Sequence, residues 1–300
     1  MRLLLILVII ILGIGGYLAV KPPSEDKQPI AEEISISILP DKIEQGDPVL
    51  IQIHGTTTAK SLKVNDKELK TFIHDGKLSA LVGLDLRSKS GSLPMVLTLN
   101  DGRIITSRLA VGERYIAKAP LGIPEKLGGD TPEAERELIN TLVEEGKLIS
   151  AVPTEDEKLW EGEFRLPIDE PITITDTYGY SRLTGASSIS HKGTDFRAAV
   201  GTPVYAMNFG KIVFNRFLRN YGNTIIIDHG LGLHTIYMHL SEIGVPLGAD
   251  VDKGEEIGKT GDTGYVLGPH LHLSIRIGGI SIDPEIFMEI IGLRVLKSAE

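Results

Sequence analysis

Across residues 269–277, Leu271, Leu273, Ile275 and Ile277 alternate with His270, His272, Ser274 and Arg276. Period-two alternation of this length predicts a strand with one face in a core and the other face polar. At a rise of about 3.3 Å per residue the two imidazoles stand on the same side, about 7 Å apart. One of them can hold a metal ion while its neighbour faces a water on that ion. The run Leu233-His234-Thr235-Ile236-Tyr237-Met238-His239-Leu240 has the same character, with Ile236, Met238 and Leu240 on the expected apolar face and Thr235, Tyr237 and His239 on the polar one.

Alternation also dominates residues 33–117. Ile34, Ile36 and Ile38 share one parity, Pro40 and Asp41 break the run, and Val49, Ile51 and Ile53 resume it after Gln45-Gly46-Asp47. Further strands are predicted at 61–64, 69–72, 78–84, 95–99 and 104–111, with Asn65-Asp66 and Asn100-Asp101-Gly102 as turns. About seven short strands in about 85 residues, each with one buried face, predict an immunoglobulin-like β-sandwich. His54 and His74 stand apart from any carboxylate cluster and read as ordinary strand or loop residues. No internal repeat is visible.

The chain begins Met1-Arg2 and runs through apolar or small residues from 3 to 20 before Lys21, Pro22 and Pro23. Eighteen such residues fall between a long secretory signal and a short membrane span, which needs about 20. Either reading puts the remainder in the cell envelope, anchored by residues 3–20 or secreted after cleavage, with 21–32 as a linker. The 300 residues carry a net charge of −9, which argues against a nucleic-acid partner. There is no cysteine, so thiolate metal sites, thiol nucleophiles and disulfides are excluded, and any metal must use His, Asp or Glu.

Twelve acidic and four basic residues lie between 123 and 163, which accounts for eight of the nine net negative charges. Within this acidic connector, 118–159, a helix is predicted over 131–146: Thr131 caps it, Pro132 opens it, Glu133 and Glu135 suit its positive end, and Gly146 ends it. Ala134, Leu138 and Leu142, with Ile139 and Val143, make a stripe that would pack on a domain and could cover a downstream active site. From 160 to 300 strand signals return, closing with a short helix near 284–291.

Six of the eight histidines lie between 191 and 272. His191-Lys192-Gly193-Thr194-Asp195 puts an imidazole and a carboxylate four residues apart around a glycine, so both can face one ion. Two neutral nitrogens and a carboxylate, with the fourth position left to water, are a catalytic zinc set. Such an ion lets water attack an amide with no protein nucleophile. His270 and His239 are the candidates for base and oxyanion stabiliser, and the pattern does not say which of His270 and His272 is the ligand. His229, in a His-Gly-Leu-Gly turn, and His234, on the apolar parity of its strand, read as structural.

Together these residues resemble the zinc metallopeptidases of the lysostaphin and LytM type, which cut peptide cross-links in bacterial cell walls. The likeness runs in order through Tyr178-Gly179-Tyr180-Ser181-Arg182, His191-Lys192-Gly193-Thr194-Asp195-Phe196, Gly201-Thr202-Pro203-Val204 and Tyr237-Met238-His239-Leu240-Ser241, and ends in Gly261-Asp262-Thr263-Gly264 and Gly268-Pro269-His270-Leu271-His272. The resemblance implies a mainly antiparallel β domain with a groove across its sheet. It implies one zinc ion per chain on His191, Asp195 and His272, and catalytic roles for His239 and His270. The expected activity is endopeptidase hydrolysis of peptidoglycan peptides. The alternatives are a non-catalytic adaptor of another wall hydrolase and an exported metalloprotease acting on a protein.

Overall fold

The protein is described by a computed structural model that covers residues 33–120, 122–184 and 187–291; the apolar run at 3–20 and the linker after it lie outside the described residues. Among the described residues no helix is long and apolar enough to cross a membrane.

The first region contains β1 (Ser35–Leu39), β2 (Pro48–His54), β3 (Ser61–Val64), β4 (Lys67–Glu68), β5 (Thr71–His74), β6 (Lys77–Gly83), β7 (Gly91–Thr98) and β8 (Ile104–Val111). They form two antiparallel sheets, β1-β2-β6-β5 and β4-β3-β7-β8. Lettered A, B, C, C′, D, E, F, G in chain order, these read A-B-E-D and C′-C-F-G, the order of an immunoglobulin constant-type sandwich with one strand added. Val49, Ile51, Ile53, Leu78 and Ala80 of one sheet meet Leu62, Val64, Met95, Leu97 and Leu109 of the other in one core. The predicted single buried face does not hold for β2, where Leu50 on the opposite parity is also buried. Leu50 and Phe72 join a second core made mostly by the C-terminal region, so that region covers the sandwich's outer face.

The connector is packed against the C-terminal region. Its strand β9 (Lys118–Pro120) pairs in parallel with β11 (Ser181–Thr184). Helix α1 spans Pro132–Ser150, with the Thr131 side chain accepting from the Ala134 N–H at 3.2 Å. The helix does not stop at Gly146 as predicted. Ile149 is buried against Phe214, Leu218, Ile226 and Ile236, and Glu145 accepts hydrogen bonds from the Asn220 N–H, so burial outweighs the roughly 1 kcal/mol penalty of a helical glycine. Val143, assigned to the packed stripe, is half exposed.

The remaining strands are β10 (Ile174–Asp176), β12 (Ser187–Ser190), β13 (Thr194–Arg197), β14 (Pro203–Tyr205), β15 (Gly210–Leu218), β16 (Gly222–Asp228), β17 (Leu233–Leu240), β18 (Glu242–Ile243), β19 (Asp250–Val251), β20 (Glu256–Lys259), β21 (His270–Ile277) and β22 (Ile280–Ile282), followed by α2 (Pro284–Ile290). The main sheet runs β10-β13-β21-β17-β16-β15-β19, antiparallel throughout, with β22 on β21. Leu271, Leu273 and Ile275 are fully buried on one face of β21, each contributing roughly 1.5–3 kcal/mol by burial. That face anchors the strand and turns His270 and His272 to the other side.

Candidate metal centre

Register brings the site together. Asp195 on β13 lies directly opposite His272 on β21, and Met238 on β17 faces the same histidine from the other side. Side chains of directly opposed residues share a face. His191 arrives from the loop before β13, which crosses over His272 at Gly193. A Cβ on Gly193 would lie 2.3 Å from the Leu273 carbonyl oxygen and 2.5 Å from His272 Nε2, so no larger residue fits. Here glycine serves close approach.

Three donor atoms converge. His191 Nε2 is 3.0 Å from Asp195 Oδ1 and 2.9 Å from His272 Nδ1, and His272 Nδ1 is 2.7 Å from Asp195 Oδ1. All three residues are buried. The outer nitrogens settle the tautomers. His191 Nδ1 lies 2.9 Å from the Thr177 carbonyl, which can only accept, so the proton sits on Nδ1 and Nε2 presents a lone pair. Ser274 Oγ donates to the Lys192 carbonyl at 2.6 Å and therefore accepts from His272 Nε2–H at 3.0 Å, which leaves a lone pair on His272 Nδ1. Burial pushes the His272 pKa down to about 4 despite Asp195 beside it, so the imidazole is neutral at ordinary pH. Two lone pairs and a carboxylate oxygen thus face one another with no proton between them. That arrangement is repulsive by itself and complementary to a divalent cation, and the outer hydrogen bonds are those that orient metal-binding histidines.

His239 and His270 stand beside this triangle, their ring centres 4.9 Å apart, and His239 is 5.9 Å from His272. His239 Nδ1–H donates to the Thr263 carbonyl and His270 Nδ1–H to the Gly268 carbonyl, both at 2.9 Å. Each therefore keeps Nε2 as its free lone pair. Burial, with His270 and His272 nearby, holds His239 well below the usual histidine range. His270 Nε2 lies 3.7 Å from Asp195 Oδ2, and Arg182 Nη2 reaches the same oxygen at 3.8 Å while pairing with Asp176 at 3.0 Å.

All five predicted site residues are therefore brought into one cluster. The predicted face of β17 is corrected: Ile236 and Met238 belong to one core cluster, Leu240 to the other with Leu233 and Tyr237. His239 has φ 63°, which reverses the strand's parity at that residue. His54 and His74 lie in the sandwich away from the cluster. His229 is fully buried between the Phe209 carbonyl and Thr235, and His234 bonds the Pro153 carbonyl. Sequence reasoning missed Ser274, although it shares the polar parity of His272, and it gave no signal for the Thr177, Thr263 and Gly268 carbonyls. The connector packs next to the site: Tyr265 OH donates to the Gly122 carbonyl at 2.6 Å, Lys126 reaches the Asp262 carbonyl, and Leu138 and Ile123 meet Ile189.

Comparison with known proteins agrees with this geometry. The profile of peptidase family M23 matches residues 189–284, a range that holds all five residues. Peptidoglycan DD-endopeptidase ShyA of Vibrio cholerae is 32% identical over 206 residues, covering 65% of this chain and 47% of ShyA. The chain thus spans about half the length of that relative. The catalytic domain of the antimicrobial peptidase lysostaphin from Staphylococcus simulans is 33% identical, over 39% of this chain and 92% of that one, with a TM-score of 0.37. A Pseudomonas aeruginosa crystal structure assigned to peptidase M23 shares the fold across 83% of this chain and 95% of that one, with a TM-score of 0.60 and 24% identity. With its His-Asp-His triangle inside the matched range, the chain carries a peptidase family M23 domain over residues 189–284.

Proposed function

We propose that this protein is a zinc-dependent endopeptidase that hydrolyses peptide cross-links of bacterial peptidoglycan. The observation that carries the reading is the convergence of His191 Nε2, Asp195 Oδ1 and His272 Nδ1 within 3.0 Å of one another, next to His239 and His270, whose Nδ1 atoms are each held by a backbone carbonyl. His191 Nε2, Asp195 Oδ1 and His272 Nδ1 would hold one zinc ion. Bound there, zinc would supply Lewis acidity to a peptide carbonyl and lower the pKa of a water molecule toward 7.

The chain's own residues do the rest. His239, kept neutral by burial, takes a proton at Nε2 as water attacks. His270, once protonated at Nε2, donates a hydrogen bond to the oxygen on which charge develops, and either ring can return a proton to the leaving amine. Asp195 and the two ligand imidazoles lie in a nearly dry floor, where such interactions are stronger than in water. The names of relatives such as ShyA support peptidoglycan as substrate. The apolar run at 3–20 supports a place in the cell envelope, tethered or exported. The A-B-E-D and C′-C-F-G order supports reading 33–117 as an immunoglobulin-like domain, joined by the connector 118–159 to a peptidase domain at 160–300. A complete donor set disfavours a non-catalytic adaptor.

The test is mass spectrometry of fragments released from purified peptidoglycan by the full chain, with and without a metal chelator. Chelator-sensitive release of fragments, each with one newly freed amine, is expected. No release from protein holding one zinc per chain, or release that ignores the chelator, would overturn the proposal.

A further inference from the structure

A buried charge cluster joins the sandwich to the C-terminal region. Arg114 follows β8 and is 13% exposed at its side chain. Its Nε donates to the Gln45 carbonyl at 2.7 Å and its Nη1 to Asp283 Oδ2 at 2.8 Å, while Nη2 pairs with Asp47. Asp47 belongs to the sandwich; Asp283 caps α2 of the C-terminal region, and its N–H donates to the Gly46 carbonyl at 2.8 Å. One guanidinium thus ties two carboxylates from two regions.

The cluster encloses Tyr178. The Arg114 guanidinium carbon is 5.4 Å from the ring centre, and the phenol donates to the Ser281 carbonyl at 2.8 Å. On the sandwich side the ring touches backbone: a Cβ on Gly46, where φ is +90°, would fall 2.5 Å from Tyr178 Cε1. Tyr178 is the centre of the segment that holds His191. The Thr177 carbonyl accepts from His191 Nδ1, the Gly179 N–H donates to the His191 carbonyl at 2.9 Å, and the His191 N–H donates to the Tyr180 carbonyl at 2.7 Å.

We infer that Arg114 is a positioning residue for the metal centre: by clamping Tyr178 at the seam it fixes the Thr177 carbonyl that sets the His191 tautomer, so the sandwich is part of the metal site's support. This rests on the reading of His191, Asp195 and His272 as ligands. A second seam contact, the exposed Lys70–Asp156 ion pair, does not touch 177–180 and separates this role from simple domain adhesion.

The test measures zinc affinity of the full chain by competition with a chromophoric chelator. Arg114→Ala should weaken binding about tenfold, the low end of the loss seen when outer-shell partners of a ligand are removed. Arg114→Lys should recover part of it, and Lys70→Ala should stay within about twofold, as exposed pairs contribute little. Nitrogen NMR of the His191 ring should show Nδ1 protonated in the wild type and a mixture of tautomers in Arg114→Ala. Wild-type zinc affinity in Arg114→Ala, or an equal loss in Lys70→Ala, overturns the inference. If Arg114→Ala fails to fold, Tyr178→Leu carries the test, with the same loss expected and unchanged affinity overturning the inference. A wild-type chain that binds no zinc sinks the ligand reading instead.

Discussion

β8 of the sandwich and β17 of the main sheet are each eight residues long, yet they solve opposite problems. In β8 Leu109 and Val111 are buried and most of the other residues are exposed, whereas every residue of β17 is buried. The polar residues of β17 consequently all need partners: His234 has the Pro153 carbonyl, Thr235 has His229 and Tyr237, Tyr237 accepts from the Met207 N–H, and His239 has the Thr263 carbonyl. Leaving any such group unpaired would cost about 1–3 kcal/mol. A sheet that buries polar residues must hold them in a network, and the network fixes imidazoles where a reaction can use them. The sandwich buries fewer polar residues, among them Gln52, His74 and Ser79, and its two histidines stand apart, His54 with Ser37 as its partner and His74 beside Asp75.

The comparison breaks most sharply at the triangle. On the proposed reading of these residues as zinc ligands, His191→Ala, Asp195→Ala and His272→Ala are each expected to lose zinc, seen by metal analysis after gel filtration, because three protein ligands leave no spare. His239→Ala and His270→Ala should keep the metal and lose about 10²–10⁴-fold in turnover; zinc loss in His270→Ala equal to that in His272→Ala would overturn its separate role. Next in size is Gly193→Ala, whose methyl collides with the Leu273 carbonyl and with His272. It should lower unfolding stability by about 1–3 kcal/mol and weaken zinc binding, whereas a wild-type melting temperature would show that the loop can lift off β21.

Burial lowers a histidine pKa in each region, at His74 in the sandwich and at His229 in the C-terminal region. Burial holds His229 at about 4 in the folded chain, against an ordinary value of 6.5. Between those values the unfolded chain binds the extra proton and the folded chain does not. Stability therefore rises with pH across that window and is lost as pH falls through it, by roughly 3 kcal/mol at most. Chelator-treated protein should melt at progressively lower temperature from pH 6.5 to 4, and His229→Gln should flatten that slope; an unchanged slope would assign the acid lability elsewhere. Smallest of all, His54→Ala and His74→Ala should change kcat/KM by no more than about twofold, in line with substitutions away from a network.

Much of this was legible in the residues. Alternation in 270–277 identified the strand, its apolar face and the two histidines, because packing one face against a core leaves a period of two in the chain; that His272 and Ser274 on the other face are buried as well was not legible from it. His191 and Asp195 were legible as a pair by spacing, and the family resemblance added which member of the 270 and 272 pair faces the triangle. What was not legible has a common cause. The turn of β17 at His239 depends on a left-handed φ that alternation does not encode, and it moves Leu240 to the opposite core. The extension of α1 past Gly146 depends on Ile149 finding Phe214 and Ile236, residues far along the chain. The carbonyls that set the tautomers belong to the backbone, where side-chain identity carries no signal.

Trp160, the chain's one tryptophan, lies where the sandwich and the main sheet meet, 1% exposed, with Phe72 of β5 edge-on at a ring separation of 5.0 Å. Its indole is therefore an intrinsic optical gauge of the seam. Emission should be blue-shifted in the native protein, and any separation of the two regions that wets the ring should move it to longer wavelength even while each sheet keeps its own circular dichroism. Substrate or metal titrations followed at that one wavelength would report on the junction without a label.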